Sequence, residues 1–282
     1  MDLAVRNVLL LSIPLLVVTC SMTADAQLIV AHRGASHDAP ENTLAAFSLA
    51  WQQNADAVEG DFYLTKDQQI VCIHDKTTKR VAPQQKELVI AESTLKELQQ
   101  LDVGSWKHAR YAGERIPTLE DVLATVPDGK QVFIEIKCGP EILPLLQPQL
   151  RSSGLKPEQI VIISFNKDVV TQTRKLMPQY KANWLTSYKQ ESEASQWNPS
   201  REMVLATLDR TNATGLGTKG NLSVIDQAFA DAIRSAGFQL HVWTVNDVAA
   251  ALKFAALRAA SITTDRPEFI RNAIRQHSAS ER

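Results

Sequence analysis

Short apolar segments alternate with amphipathic segments through most of the chain after residue 27. The apolar segments are bounded by turn residues, as is typical of strands in a buried parallel sheet, and they cover residues 28–31, 57–63, 70–74, 132–136, 160–164, 181–185, 237–244 and 261–264. The amphipathic segments predict helices at residues 43–53, 118–125, 144–152, 167–177, 224–236, 247–257 and 267–276. Repeated βα units without a glycine-rich dinucleotide-binding motif favour an α/β fold, a single (β/α)₈ TIM barrel, over a doubly wound sheet.

Residues 76–115 do not fit a simple connection between a strand and a helix. This segment is long and polar at its start, with a helical pattern at 91–101 and turn-rich residues at 102–113. We therefore expect an insertion after the second strand region. Extra elements at the carboxyl ends of barrel strands usually cover the substrate site, so we expect this one on the active face.

The first 26 residues have the pattern of a secretory signal peptide. Arg6 precedes an apolar run, and a polar stretch then ends at Ala26 in a small-residue cleavage pattern. The apolar run is too short for a good membrane span. We therefore expect an exported protein, periplasmic or extracellular, with its barrel domain at residues 27–282. A lipoprotein anchored through Cys20 is the less favoured alternative.

Composition limits the partners that the chain can have. With 282 residues and 44% hydrophobic content, the chain can bury a full core. Its formal net charge is −1, with charges of both signs scattered along the sequence. This balance gives no electrostatic basis for binding nucleic acid or an anionic membrane.

Two cysteines, Cys72 and Cys138, remain after the predicted cleavage. Export implies an oxidising compartment, but Cys72 shares strand parity with His74 whereas Cys138 has the opposite parity to Glu135 and Lys137, which makes a disulfide geometrically unfavourable. Neither belongs to a zinc-type spacing. We expect two free and mostly buried thiols.

Candidate chemistry begins in the stretch AHRGASHDAPENT, where the first predicted strand ends and a helix begins. His32 and Arg33 can together offer a proton-transfer group and a permanent cation to one anionic group. Pro40, Glu41 and Asn42 fit a helix start. Alone, the stretch would be better interpreted as a capped turn with a surface His-Arg pair.

The stretch VEGD places Glu59 and Asp61 on the same face of a predicted strand, because successive side chains alternate. Two carboxylates this close repel each other unless a cation lies between them, and Mg²⁺ or Ca²⁺ is the best fit to oxygen ligands. A solvated outer face is the alternative. The apolar neighbours Val58 and Phe62 argue against it.

A third polar set interrupts the apolar strand VFIEIK. Glu135 and Lys137 share one face, as a third metal ligand and a cation for a phosphate, or as a buried structural ion pair. His74 follows another apolar run. Alone, it would more often be a packed core histidine.

These motifs, in the order HRGASHDAPENT, VEGDFYLTKDQQIVCIHD, IEIK, HVWTVND and TTDRP, resemble the glycerophosphodiester phosphodiesterase family over nearly all of the mature chain. The resemblance implies a (β/α)₈ barrel that uses a divalent cation, Mg²⁺ or Ca²⁺. Its implied reaction is hydrolysis of small-molecule glycerophosphodiesters to glycerol 3-phosphate and an alcohol. It further implies that His32 and His74 are the acid and base pair, and that Glu59, Asp61 and Glu135 bind the metal.

The resemblance also implies a substrate-binding set. Arg33 and Lys137 would contact the phosphate, and Trp243 would form an apolar wall for the glycerol. Glu41 and Asn42 would support the first loop and contact metal or substrate.

Several alternatives stay open from the sequence. His37, Asp38 and Gly60 depart from the family pattern, which leaves the preferred head group open. The nucleophile is either a glycerol hydroxyl, giving a cyclic phosphate, or a water molecule. A related phospholipase D acting on lysophospholipid or sphingomyelin would need an exposed apolar lip, which residues 76–85 do not suggest. An exported phosphate-ester-binding protein without turnover is the alternative from another class. The sequence does not indicate the oligomeric state.

Overall fold

Eight parallel strands form a closed barrel in the computed structural model, which describes residues 27–280. A ninth strand, β3, pairs antiparallel with the end of β2. The strands are β1 (Leu28–His32), β2 (Ala57–Leu64), β3 (Ile70–Cys72), β4 (Gln131–Ile136), β5 (Ile160–Ser164), β6 (Lys181–Thr186), β7 (Gly215–Lys219), β8 (Gln239–Trp243) and β9 (Ser261–Thr264). The barrel order is β1-β9-β8-β7-β6-β5-β4-β2, and pairing of β1 with β2 closes it. The predicted (β/α)₈ TIM barrel is confirmed. The predicted signal peptide at residues 1–26 lies outside the described residues.

Helices follow the strands and pack around them. They are α1 (Leu44–Gln52), α2 (Leu95–Leu98), α3 (Leu119–Leu123), α4 (Leu143–Ser152), α5 (Lys167–Leu176), α6 (Arg201–Thr211), α7 (Gln227–Ser235), α8 (Val248–Ala256) and α9 (Pro267–Ser280). Several begin at a side-chain cap; Thr43, for example, accepts the amide hydrogen of Ala46 at the start of α1. Such caps fix the residue at which a loop ends and the helix begins.

Two strands differ from the sequence-based prediction. The predicted strand at 70–74 is not part of the parallel series, because β3 runs antiparallel to β2 as the second arm of a hairpin. The eighth barrel strand is instead β7, which the apolar pattern misses because Gly215 and Gly217 occupy alternate positions. A Cβ at Gly217 would lie 2.4 Å from Leu185 Cδ2, so a larger residue there would force the end of the Leu185 side chain to move.

The insertion at 76–115 packs a small apolar cluster of its own against the β2–β3 hairpin. Val71 and Ile73 from the hairpin meet Ile90, Leu98 and Ile116 there. Instead of one helix at 91–101, the chain forms a 3₁₀ turn and the short helix α2, which begins anew at a capping box.

The described residues bear on two further expectations. Cys72 and Cys138 are free thiols, the first buried and the second half-buried, as predicted. Within residues 27–280, no helix has both the length and the apolar character that a membrane span requires.

Candidate active site

Three carboxylates converge inside the barrel near the carboxyl ends of β2 and β4. Glu59 and Asp61 are 3% and 1% exposed, and Asp61 is directly in register with Glu135 on the adjacent strand. One oxygen from each of the three lies within 4.8 Å of the others. The strand alternation places Val58 in the outer core between sheet and helices, so the two acids of β2 point inward as predicted.

The charge of this cluster is only partly balanced by the protein. Burial, together with repulsion from Asp61, raises the pKa of Glu59 to about 8. Burial and the same neighbour also raise the pKa of Glu135. Glu59 Oε1 is buried and has no hydrogen-bond partner among the described residues. An unpaired buried carboxylate oxygen beside two other carboxylates suits a hard divalent cation.

Two basic side chains border the acidic cluster. Arg33 Nε lies 3.2 Å from Asp61 Oδ2, and Lys137 Nζ lies 3.3 Å from Asp61 Oδ1. Burial alone would raise the pKa of Asp61, but these two cations lower it. Lys137 Nζ also donates to Glu135 Oε1 at 2.8 Å, so the ion pair considered from the sequence is present. It lies within the site rather than apart from it, because Lys137 contacts two of the three clustered acids.

His32 ends β1 and is held by a carboxylate from the opposite end of the chain. Its Nδ1 lies 2.6 Å from Asp265 Oδ1, which follows β9. Asp265 also accepts hydrogen bonds from Ser36 Oγ at 3.0 Å and from Asn246 Nδ2 at 2.6 Å. Burial alone would lower the pKa of His32, but the Asp265 hydrogen bond and the charge of Glu59 raise it above its ordinary value. This arrangement favours a protonated ring whose Nε2 can donate a proton.

His74 reaches the same rim by way of the β2–β3 hairpin. The amide of Ile73 donates to the carbonyl of Asp61 at 2.9 Å, so the returning arm brings His74 beside the acidic cluster. Its Nδ1 lies 2.7 Å from Asp75 Oδ1. Burial lowers the pKa of His74, although the nearby Asp61 carboxylate opposes the shift. A neutral imidazole is therefore favoured near pH 7, as a general base requires.

Glu41 and Asn42 support their neighbours from the first loop. Asn42 is buried in a left-handed conformation, with φ of 57°. Its Nδ2 donates to Asp61 Oδ2 at 2.9 Å, and its Oδ1 accepts the Asp61 amide hydrogen at 3.2 Å. Glu41 accepts hydrogen bonds from Arg33 and from Arg80 of the insertion. Both residues therefore fix the orientation of groups in the site, and their contact with substrate stays a prediction.

Trp243 is the last residue of β8. Its ring meets the Phe165 ring edge to face, with centroids 5.6 Å apart, and its Nε1 is buried without a hydrogen-bond partner in the described residues. Phe165 is 46% exposed. The two rings form an apolar wall beside the charged groups.

Comparison with known proteins places this geometry in a family. A model of the glycerophosphoryl diester phosphodiesterase family matches residues 32–269, a range that contains every candidate site residue. The chain belongs to this family. The family resemblance drawn from the motifs is therefore confirmed.

Relatives match the chain over nearly its whole described length. The Bacillus subtilis (strain 168) protein YhdW, provisionally named a glycerophosphodiester phosphodiesterase, is 35% identical over 244 residues, covering 86% of this chain and 96% of that protein. A glycerophosphodiester phosphodiesterase from Caldanaerobacter subterraneus is 31% identical, covering 88% and 98%. An Oleispira antarctica phosphodiesterase, solved with the product sn-glycerol-3-phosphate, has a TM-score of 0.78 and 29% identity, covering 89% and 97%.

The sequence predicts the charged residues of the site but not several residues that position them. Asp265, Asp75 and Arg80 were given no role, and neither was Phe165. Asp265 and Asp75 lie inside quoted motifs, TTDRP and VCIHD, directly after apolar runs. An acidic residue in that position is a detectable signal, whereas nothing around Arg80 distinguishes it from any other surface arginine.

Proposed function

We propose that this protein is a metal-dependent phosphodiesterase that hydrolyses glycerophosphodiesters to glycerol 3-phosphate and an alcohol, by acid/base catalysis with two histidines. The observation that carries the proposal is that His32 and His74, with opposite pKa shifts, each lie within electrostatic range of the cluster of three carboxylates. Membership of the glycerophosphoryl diester phosphodiesterase family supports the substrate class.

The charged groups fit a bound phosphodiester. Glu59, Asp61 and Glu135 would hold Mg²⁺ or Ca²⁺, and the unpartnered Oε1 of Glu59 supports this assignment. When bound, the cation supplies positive charge that offsets the charge of a phosphate oxygen. Arg33 and Lys137 add fixed cations at the border of the same cluster. Such preorganised charge lowers the cost of the charge that develops in the transition state.

The two histidines take complementary roles in the proposed mechanism. His74, favoured as the neutral imidazole, would accept the proton of the attacking hydroxyl or water. His32, favoured as the imidazolium, would donate a proton from Nε2 to the departing alkoxide. The Nδ1–H groups of His74 and His32 donate hydrogen bonds to Asp75 and Asp265, and these bonds hold the rings in orientation. Each proton transfer typically contributes roughly 10²- to 10⁴-fold in rate.

The identity of the nucleophile can be tested independently. If the glycerol hydroxyl attacks, a cyclic glycerol phosphate accumulates before glycerol 3-phosphate, and phosphorus NMR at early times would detect it. If water attacks directly, no cyclic species precedes the product. Both routes use the same two histidines.

The apolar wall supports a glycerol-containing substrate. Trp243 and Phe165 would cover the carbon face of the glycerol, while the charged groups hold the phosphate. The solved Oleispira antarctica relative is described with sn-glycerol-3-phosphate as its product. That description is consistent with glycerol 3-phosphate as the retained half of the substrate here.

The experiment that tests the proposal is a product assay on the purified protein. Glycerophosphoethanolamine, glycerophosphoglycerol and glycerophosphocholine are supplied separately, and glycerol 3-phosphate is measured enzymatically. We expect release from at least one of them in the presence of Mg²⁺ or Ca²⁺. Tight binding without release would instead indicate an exported binding protein, and release of a phosphorylated alcohol would indicate the opposite bond cleavage.

We also propose that the chain is exported and processed after Ala26, on the basis of the signal pattern in residues 1–26. Sequencing the amino terminus of the protein from its host tests this. A mature chain beginning at Gln27 is expected, and a lipid-modified Cys20 would indicate anchoring instead.

A further inference from the structure

A groove of about 720 Å³ runs outward from the active site between the insertion and the ends of β4 and β5. Its inner end is formed by Glu135 and Lys137, which already belong to the charged cluster. It is also lined by residues 89–91 of the insertion and by residues 164–166 at the end of β5. Pockets of this size are typical of small-molecule sites.

Phe165 separates this groove from the position proposed for glycerol. One side of its ring meets Trp243 at a centroid distance of 5.6 Å, and Trp243 does not line the groove. A phosphodiester whose phosphate lies near Lys137 has two ester arms. If the glycerol arm lies against Trp243, the other arm, the alcohol, is left to enter the groove.

The groove offers its occupant mainly apolar surface. Val89 and Phe165, which are 39% and 46% exposed, both line it, and so do Tyr63, Leu64 and Ile136. Exposed large apolar side chains that line one cleft are typical of a binding surface.

Three polar residues along the walls are already engaged within the protein, although exposed Lys76 also lines the groove. Ser164 Oγ donates to the Ile136 carbonyl at 2.8 Å, and Glu141 accepts the Gly139 amide hydrogen at 2.9 Å. Asn166 caps helix α5 through its side-chain oxygen. These groups therefore offer little hydrogen bonding to a polar head group, whereas the apolar walls remain accessible.

We infer that this groove binds the alcohol arm of the substrate and selects alcohols that carry an apolar chain. The inference rests on the proposed function and specifies its substrate class. Each methylene group that is buried against the apolar walls displaces water and favours binding. An alcohol with a long alkyl chain therefore binds more tightly than ethanolamine. The exposed apolar lip, which residues 76–85 do not suggest, is formed by Val89 and Phe165, which both line the groove.

The test compares two substrates that differ only in the alcohol. Values of kcat/KM are measured for glycerophospho-octanol and for glycerophosphoethanolamine with the metal-loaded protein. We expect the octyl ester to be favoured by tenfold or more. The substitution Val89→Asp should reduce the ratio of the two values by about tenfold, because it places a carboxylate against the chain.

Leu176→Asp is the matched control. Leu176 is 52% exposed at the carboxyl end of α5, on the opposite face of the barrel. The substitution therefore removes an exposed apolar side chain that lies away from the groove. It should leave the ratio unchanged. A third substrate, which carries an octanoyl chain on the glycerol and none on the alcohol, shows which arm occupies the groove. If Val89→Asp lowered kcat/KM for this substrate alone, the inference would be overturned.

A binding measurement separates failure of the groove from failure of the proposed function. Octyl phosphate and ethyl phosphate are titrated calorimetrically into the wild-type, Val89→Asp and Leu176→Asp proteins. Tighter binding of octyl phosphate that Val89→Asp abolishes supports the groove even if no ester is hydrolysed. Equal binding of the two phosphates overturns the inference, even if glycerophosphoethanolamine is hydrolysed well.

Discussion

His32 and His74 have the same side chain, and the neighbours of each decide which proton-transfer role it can take. Asp265 and Glu59 hold positive charge on His32 despite its burial, whereas burial dominates at His74 and favours the neutral ring. A pair of histidines with separated pKa values can supply an acid and a base at one pH. The residue-scale predictions follow from this separation.

The first prediction concerns the histidines themselves. We expect His32→Ala and His74→Ala each to reduce kcat by roughly 10²-fold or more, because each removes a proton-transfer group. Circular dichroism and thermal unfolding should show an intact fold, since both side chains lie at the rim of the barrel. Near-normal turnover by either variant would remove that histidine from the mechanism.

The second prediction concerns Asp265, a positioning residue that acts through His32. Asp265→Asn removes the charge that raises the pKa of His32, so this pKa should fall. As the pH rises, His32 then loses its proton at a lower pH than in the wild-type protein. We therefore expect the alkaline limb of the kcat/KM profile to move to lower pH, with kcat reduced by about tenfold. Ser36→Ala, which removes only one hydrogen bond to Asp265, is the control. An unmoved alkaline limb in Asp265→Asn would contradict this role.

At the same scale, the sequence predicts some site residues better than others. Glu59, Asp61 and Glu135 are predictable because polar residues at alternate positions of an apolar strand must share a face. The contact between His32 and Asp265 joins residues 233 positions apart. A local sequence pattern carries no information about such a contact, which forms only because barrel closure places β9 beside β1.

At the scale of elements, the turn from β1 into α1 positions the first loop. Gly34 has φ of +79°, and a Cβ there would lie 2.5 Å from the Ala46 carbonyl carbon. The close approach of this turn to the helix therefore requires glycine. His32, Arg33 and the PENT residues all depend on the path that the turn takes.

A third prediction tests this dependence. We expect Gly34→Ala to lower the free energy of unfolding by about 2 kcal/mol or more, from the combined clash and backbone strain, and to reduce activity. Gly154→Ala is a matched control, with φ of +76° and no atom within 4 Å of the added Cβ. Urea unfolding measures both variants. Equal loss of stability in the two would show that α1 can move aside.

The element pattern of the sequence fails where tertiary structure overrides it. An apolar run cannot reveal strand direction, so β3 was assigned to the parallel series although it returns antiparallel to β2. Conversely, the glycines of β7 hide a barrel strand, because they add no apolar side chain to the sequence pattern. The remaining barrel strands are recognisable from their buried apolar runs alone.

At the scale of the whole molecule, the barrel interior contains a buried histidine on β8. His241 Nδ1 lies 2.8 Å from Ser261 Oγ, and its ring packs against Phe133. Burial lowers the pKa of His241 from 6.5 to about 3, with a contribution from Lys181. Between these two values the unfolded chain binds the proton more readily than the folded protein does.

A fourth prediction follows for stability against pH. Below about pH 6.5 the free energy of unfolding should fall because of His241, by at most about 1.4 kcal/mol per pH unit, until the pH reaches its folded pKa. Above pH 6.5 the residue should have no such effect. In His241→Gln this part of the acid dependence should disappear. Urea unfolding from pH 7 to pH 4 measures it, and parallel curves for the two proteins would contradict the prediction.

The central claim is that three carboxylates from two adjacent strands hold a cation that phosphodiester hydrolysis needs. The most direct measurement is glycerol 3-phosphate release after EDTA treatment and addition of Mg²⁺ or Ca²⁺, for the wild-type protein and for Glu59→Gln. The account predicts that EDTA abolishes release, that one of the cations restores it in the wild-type protein, and that neither restores it in Glu59→Gln. Undiminished release in EDTA, or full activity of Glu59→Gln, would contradict it.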